Sequence, residues 1–273
     1  MKPAVSQICT LPTPLERDVA DYASAACRTI ELWLGKVETY LEQHAPGELR
    51  ALFEAAGVET PVASYQGGLL DTEGAARAEH WRHFRQRLNW CRELGIETLV
   101  VAADVTAPVD ERLIQRVEQS LDQAATEAAA QGVRLALEFQ ARASLINNLE
   151  TASALVEEVA SEHLGICLDA FHFAVGPSKL ADLGYLTRER LFHVQLCDVA
   201  GQLRELAGDA DRVLPGDGDF PLEAIVAHLR AIGYSGCVSV ELMNPQIWPI
   251  AAQQVAELSI TALRKVLGLA TMV

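Results

Sequence analysis

The sequence predicts an α/β fold, a (β/α)8 TIM barrel, on three observations. Short runs rich in Val, Ile and Leu alternate with longer amphipathic stretches from one end to the other. Eight such units fit into 273 residues, near the ~250 typical of this barrel. No linker, low-complexity tract or break in composition interrupts the series, so residues 1–273 are expected to form one domain. Local pattern does not set strand order, and a doubly wound open sheet is the other arrangement that this rhythm allows.

The expected strands are Val5–Cys9, Thr29–Leu34, Val58–Tyr65, Thr98–Ala103, Val133–Phe139, Gly165–Asp169, Phe192–Cys197 and Gly236–Leu242. Between them the apolar residues recur at helical spacing. In Glu111–Ala130, Leu113, Ile114, Val117 and Leu121 make one face. Glycines mark helix-to-strand joints in ELGIETLVV, AQGVRLALEF and AIGYSGCVSV. A last helix near Ala251–Leu267 suits barrel closure and subunit contact equally.

Composition narrows the function classes. Hydrophobic residues make up 50% of the chain, which argues against disorder. A formal net charge of −15 opposes a role built on phosphate neutralisation, so no nucleic-acid partner is expected. No apolar stretch reaches the ~20 residues that span a bilayer, and MKPAVSQICTLPTP lacks the apolar core of a signal peptide. The 6 cysteines form no CxxC pair and several sit in apolar runs, which suits reduced thiols and a cytoplasmic location.

The phase of the last four strands carries the functional signal. Successive strand residues face opposite sides. Leu135, Leu137, Ile166, Leu168, Val194, Leu196, Val238 and Val240 make an aliphatic face suited to pack under helices. The other face carries Ala136 with Glu138, Cys167 with Asp169, His193 with Gln195, and Ser239 with Glu241. Each strand thus places one oxygen donor near its C-terminal end, where TIM barrels build active sites. A strand-end ion pair or a satisfied core amide would account for any one of these residues. Four in phase on four successive strands argue for a common purpose. Three carboxylates brought together repel unless protons or a cation intervene, and an all-oxygen set, with the Gln195 carbonyl, favours Mn²⁺ or Mg²⁺ over zinc.

These residues sit in LEF at 137–139, CLDAFHF at 167–173, HVQLCD at 193–198, PGDGDF at 215–220 and SVELMNP at 239–245. In these motifs the chain resembles the xylose isomerase-like TIM-barrel superfamily of sugar isomerases, epimerases and related dehydratases. The resemblance is carried by the C-terminal half, and by strand–helix rhythm alone in the N-terminal half. It implies that Glu138, Asp169, Gln195 and Glu241 are metal ligands. It also implies that His172, in DxxH with Asp169, contacts substrate or metal-bound water, and that Arg212 anchors substrate. Many members carry His at the position of Gln195; the glutamine form is similar to hydroxypyruvate isomerases, inosose dehydratases and some dehydroshikimate dehydratases. A homodimer or homotetramer is compatible with the resemblance.

The implied substrate is a small sugar or polyhydroxy ketone. Proton removal beside a carbonyl needs charge stabilisation and a base, for which Glu138 and Glu241 are the candidate pair. Return of the proton to the same carbon from the opposite face epimerises, and return to the adjacent carbon isomerises. Loss of a β-hydroxyl, with His172 as acid, dehydrates. Substrate contacts are also assigned to His193 and Gln66, although a core histidine and a Gly67–Gly68 turn explain those stretches too. Asp104 at the end of the fourth strand could reach the mouth or hold a loop. Glu31 and Trp33 share a strand face that barrel packing accounts for, and Asp217 or Asp219 could stabilise the helix starting near Pro221. An abasic-site endonuclease would need more histidines and a basic surface, and a noncatalytic barrel would not need four ligands.

Overall fold

In the computed structural model, strand β1 (Lys2–Ser6) lies three residues upstream of the apolar run that marked it in the sequence. The structure describes residues 1–269; residues 270–273 of the expected domain lie outside the described residues. Gln7, Ile8 and Cys9, expected to lie in β1, belong instead to a buried 3₁₀ turn, Gln7–Thr10. Burial alone does not require a strand; pairing does. Lys2 to Val5 close the barrel against Cys237 to Val240 of β8 (Cys237–Val240), and that register places β1.

The remaining strands overlap the expected runs: β2 (Thr29–Trp33), β3 (Glu59–Gln66), β4 (Thr98–Ala102), β5 (Arg134–Glu138), β6 (Leu164–Asp169) and β7 (Leu191–Leu196). All neighbours are parallel and the order runs from β1 to β8 around a closed barrel, which excludes the open sheet. Helices α1 (Leu15–Ser24), α2 (Leu34–Leu41), α3 (Pro46–Ala56), α4 (Gly74–Leu94) and α5 (Glu111–Ala130) follow the first four strands. Then come α6 (Leu149–Val159), α7 (Ala170–Val175), α8 (Leu222–Ala231) and α9 (Ala252–Val266). The bounds of α5 are those the periodicity predicts, and Asp110 starts it by accepting the Leu113 N–H at 2.8 Å. α9 buries Val255, Ile260 and Leu263 and packs on α1 and β1, so its apolar face serves barrel closure.

Two apolar layers follow from strand alternation. The aliphatic face predicted for β5 to β8 lies in the large outer cluster beneath the helices. Each such fully buried Leu, Val or Ile contributes about 1.5–3 kcal/mol. A small inner cluster, including Ala4, Val62, Val100, Ala136 and Cys167, fills the lower barrel. Phe192 joins it because the β6–β7 register slips, with Leu191 opposite Ile166 and His193 opposite Cys167. The Phe192 ring covers Gly165, where a Cβ would lie 2.7 Å from it. The barrel is packed below and polar above.

One buried charged group lies apart from that polar end. Asp18 accepts from Thr10 Oγ1 at 2.8 Å and pairs with Lys36. Burial pushes its carboxyl up to about 7, with Lys36 pulling it part of the way back. Between about pH 4 and 7 the folded chain therefore holds a proton that the unfolded chain, with an Asp pKa of about 3.9, has released. This contribution to stability is fully present below about pH 4 and is lost as pH rises through about 7. Asp18→Asn is expected to flatten that part of the stability–pH curve, measured by urea unfolding at acid and neutral pH.

Candidate active site

The motif C-L-D-A-F-H shows how the site is built. Asp169, the last residue of β6, uses Oδ1 to cap α7, accepting the Phe171 N–H at 2.8 Å. Its Oδ2 is left facing the barrel axis. The first turn of α7 brings His172 back beside it, Nε2 to Oδ2 3.7 Å. Glu138 enters from β5, and one donor atom each from Glu138, Asp169 and His172 lie within 4.8 Å of one another. Glu138 Oε2 also accepts from Gln140 Nε2.

Arg212 reaches the same point from the β7–α8 loop. Asp198 and Val213 exchange backbone hydrogen bonds of 3.0 and 2.8 Å, and this bridge draws the buried Arg212 into the barrel mouth. Its guanidinium meets Asp169 Oδ2 at 2.9 Å, Glu241 Oε2 at 3.0 Å and Asp209 Oδ1 at 2.9 Å, over the Phe171 ring. Burial alone would lower the pKa of Arg212, but Asp169 and Glu241 outweigh it and raise it. Asp198 holds the rest of the loop, accepting from Gly216 N at 3.1 Å and Phe220 N at 2.8 Å. Gly218 fits only as glycine: a Cβ would lie 2.4 Å from Asp198 Oδ1. Helix α8 starts at Pro221 with no side-chain cap, so neither Asp217 nor Asp219 caps it.

Below the carboxylates lies a second, fully buried group. Glu31 Oε1 accepts from Gln195 Nε2 at 2.9 Å and from Ser64 Oγ; Oε2 accepts from Ser239 Oγ and lies 3.1 Å from His193 Nε2. Burial works to raise the Glu31 carboxyl, but His193 and the two serine hydroxyls outweigh it and hold it below its ordinary range. Gln195 spends both amide hydrogens on carboxylates, the second on Glu241 Oε1 at 2.9 Å. Its Oε1 is left facing Cys167 Sγ at 3.2 Å. Flipping the amide would set its oxygen against two carboxylates, so Glu31 and Glu241 determine its orientation.

The electrostatics favour an added positive charge. Burial first, then Asp169, pushes the Glu138 carboxyl well above the usual range. Burial does the same to Glu241, with Arg212 opposing it. Asp169 Oδ2 is buried and, despite the nearby guanidinium, has no aligned hydrogen bond among the described residues. Carboxylate oxygens converging on an under-satisfied buried oxygen fit a hard divalent cation. His172 is lowered by burial, and its Nδ1 accepts the Ala141 N–H at 3.3 Å. The neutral ring therefore carries its proton on Nε2, facing the site as a donor.

Glu138, His172, Gln195, Arg212 and Glu241 line a cavity of about 240 Å³ at the C-terminal ends of the strands, with Trp33, Asp104 and Met243 among its walls. The profile of the xylose isomerase-like TIM barrel matches residues 19–266. The chain belongs to that family. It is 27% identical to an inosose isomerase of Halalkalibacterium halodurans over 227 residues, 81% of this chain and 79% of the relative. It is 29% identical to a 3-dehydroshikimate dehydratase of Pseudomonas aeruginosa over 88% of this chain, though only 37% of that longer protein. The crystal structure of the IolI protein with a bound zinc atom superposes with a TM-score of 0.91 over 100% of both chains, at 24% identity. Relatives of this xylose isomerase-like barrel are isomerases, epimerases and dehydratases, and the chain is an enzyme.

Of the residues singled out in the sequence, Glu138, Asp169, His172, Gln195, Arg212 and Glu241 meet at the mouth of this family barrel. His193 does not: it is fully buried one layer lower, against Glu31 and Ser239. Gln66 lines a neighbouring cavity, bound to Gly67 O at 2.6 Å and Arg87 at 3.1 Å, away from the carboxylates. The part played by Glu31 was not visible in sequence, because a lone strand glutamate resembles a packed salt-bridge partner. Asp209 likewise carried no pattern. Among the described residues, no helix is long and apolar enough to cross a membrane.

Proposed function

We propose that the chain is a divalent-metal-dependent isomerase or epimerase of a small polyhydroxylated carbonyl compound, an inosose or a ketose. The convergence of Glu138 and Asp169, with a buried Asp169 oxygen lacking a hydrogen bond, carries this reading. Glu138, Asp169 and Glu241 would hold the ion, and Mn²⁺ or Mg²⁺ suits their oxygen donors. Gln195, which the resemblance implies as a fourth ligand, turns its amide hydrogens to Glu31 and Glu241 and its oxygen to Cys167, so it would support Glu241 rather than bind the ion. Once bound, such an ion polarises a carbonyl and steadies negative charge on its oxygen.

The chain's own residues do the rest. β5 and β8 are three strands apart around the barrel, so Glu138 and Glu241 would approach a bound carbon from different sides. One takes the proton beside the carbonyl and the other returns it. Arg212, held by three carboxylates, is rigid enough to orient a substrate oxygen. The inner apolar cluster and the Glu31 layer close the barrel below, so water reaches the site from the mouth alone.

The second reading is dehydration, favoured by His172: its Nε2–H faces the site and can hydrogen-bond a departing hydroxyl. Both readings predict metal-dependent uptake of solvent deuterium beside the carbonyl of an inosose or of D-psicose, followed by NMR. An absorbance rise from a conjugated product would assign dehydration, and exchange without it isomerisation or epimerisation. No exchange in any cyclic or open-chain hydroxy ketone would overturn both.

A further inference from the structure

The mouth cavity has a neighbour. A second cavity of about 380 Å³ shares Trp33, Ser64, Tyr65 and Asp104 with it, so the two are lobes of one groove over the ends of β2, β3 and β4. The first lobe, at about 240 Å³, falls below the ~300 Å³ at which ligand pockets begin; joined to the second it lies well within their range.

The second lobe is built for a hydroxylated ring. Trp33 and Tyr65 form its near wall, centroids 5.2 Å apart and planes 49° from each other, with Tyr65 43% exposed. His80 faces them across a turn with no room for side chains. A Cβ on Gly67 would lie 2.6 Å from Asp104 Oδ2, and one on Gly68, at φ +75°, would lie 2.4 Å from the His80 ring. Trp33 Nε1, Tyr65 Oη and the His80 ring nitrogens have no hydrogen-bond partner among the described residues. Aromatic faces with unspent polar edges bind a group that is apolar on its C–H face and rich in hydroxyls at its rim. Strong net charge is not called for, since Arg87 is already paired with Glu38 at 2.7 Å.

We propose that this lobe binds a second hydroxylated ring, so that the substrate is a hydroxy ketone carrying a sugar or similar ring through a substituent. The inference rests on the reading of the first lobe as the reacting site for a hydroxy ketone. A ring of that kind would lie on Trp33 and Tyr65, with His80 at its rim, while its ketone end faces Glu138 and Glu241.

The probes are D-fructose and 6-O-glucosyl-D-fructose, titrated by calorimetry into Mn²⁺-loaded protein, with circular dichroism as the folding control. Wild type is expected to bind the disaccharide at least about tenfold more tightly, a difference of about 1.4 kcal/mol. In His80→Ala and in Trp33→Ala the ratio of the two affinities should fall towards one. Equal affinities in wild type, no binding of the disaccharide, or a ratio unmoved by both substitutions would overturn the proposal. Deuterium exchange on the same sugars separates the two claims. Disaccharide preference without exchange defeats the enolising reading alone, and exchange without preference defeats the second lobe alone.

Discussion

Glu241→Gln is expected to lower metal-dependent deuterium exchange by about 10²–10⁴-fold, the range of a positioned acid–base group. The amide oxygen can replace Oε2 and keep the hydrogen bond to Arg212 at 3.0 Å, while its nitrogen then meets Gln195 Nε2 in place of an acceptor, so circular dichroism accompanies the assay as a folding control. What the amide cannot do is accept a proton. Glu138→Gln is expected to fall in the same range. If the two glutamates act from opposite faces, each variant should show this loss on the epimer whose C–H faces the missing base and retain exchange on the other epimer. Chirally deuterated ketone, followed by NMR, reads this directly. A substitution at either position that leaves exchange within a few-fold of wild type would remove that residue from proton transfer.

Glu31→Ala is the largest expected loss of stability, about 3–5 kcal/mol, because it strands the partners of a buried charge. Ser64, His193, Gln195 and Ser239 all turn towards that carboxylate, and His193 Nδ1 already has no partner among the described residues. Glu31→Gln keeps the volume and should cost less. It offers Gln195 a donor as well as an acceptor, however, which frees the Gln195 amide to flip. Metal affinity is then expected to fall by about 10–100-fold, as when other supporting hydrogen bonds are removed. Urea unfolding and Mn²⁺ titration measure the two effects separately. A stable Glu31→Ala protein with unchanged Mn²⁺ affinity would show that the buried layer does not support the site.

The barrel was legible because its signal is repeated. Period-two alternation on β5 to β8 places Glu138, Asp169, Gln195 and Glu241 on the inner face, and all four meet at the barrel mouth, Glu241 just past the end of β8. The first strand was misplaced because Ile8 and Cys9 are buried without pairing, while Lys2 and Pro3, which do pair, carry no apolar pattern. Longer-range features left less trace. Glu31 meets His193, Gln195 and Ser239 across 162, 164 and 208 residues, and no local spacing encodes such contacts. His193 is in phase with Gln195 but two residues deeper along the strand, and it lies one layer down in the barrel, the core placement that the sequence favours over a substrate contact. Arg212 was found through the loop that follows it, whereas the Asp198 bridge that delivers it shows only in the fold.

The acidic mouth of this barrel is proposed to hold one divalent ion that proton transfer requires. The direct measurement is a calorimetric Mn²⁺ titration of chelator-stripped wild type beside Asp169→Asn, with metal analysis of the reloaded proteins. One ion per chain is expected in wild type, with affinity reduced by at least about tenfold in the variant, whose Oδ1 can still cap α7. Absence of retained metal in wild type, or equal binding by both proteins, would contradict it.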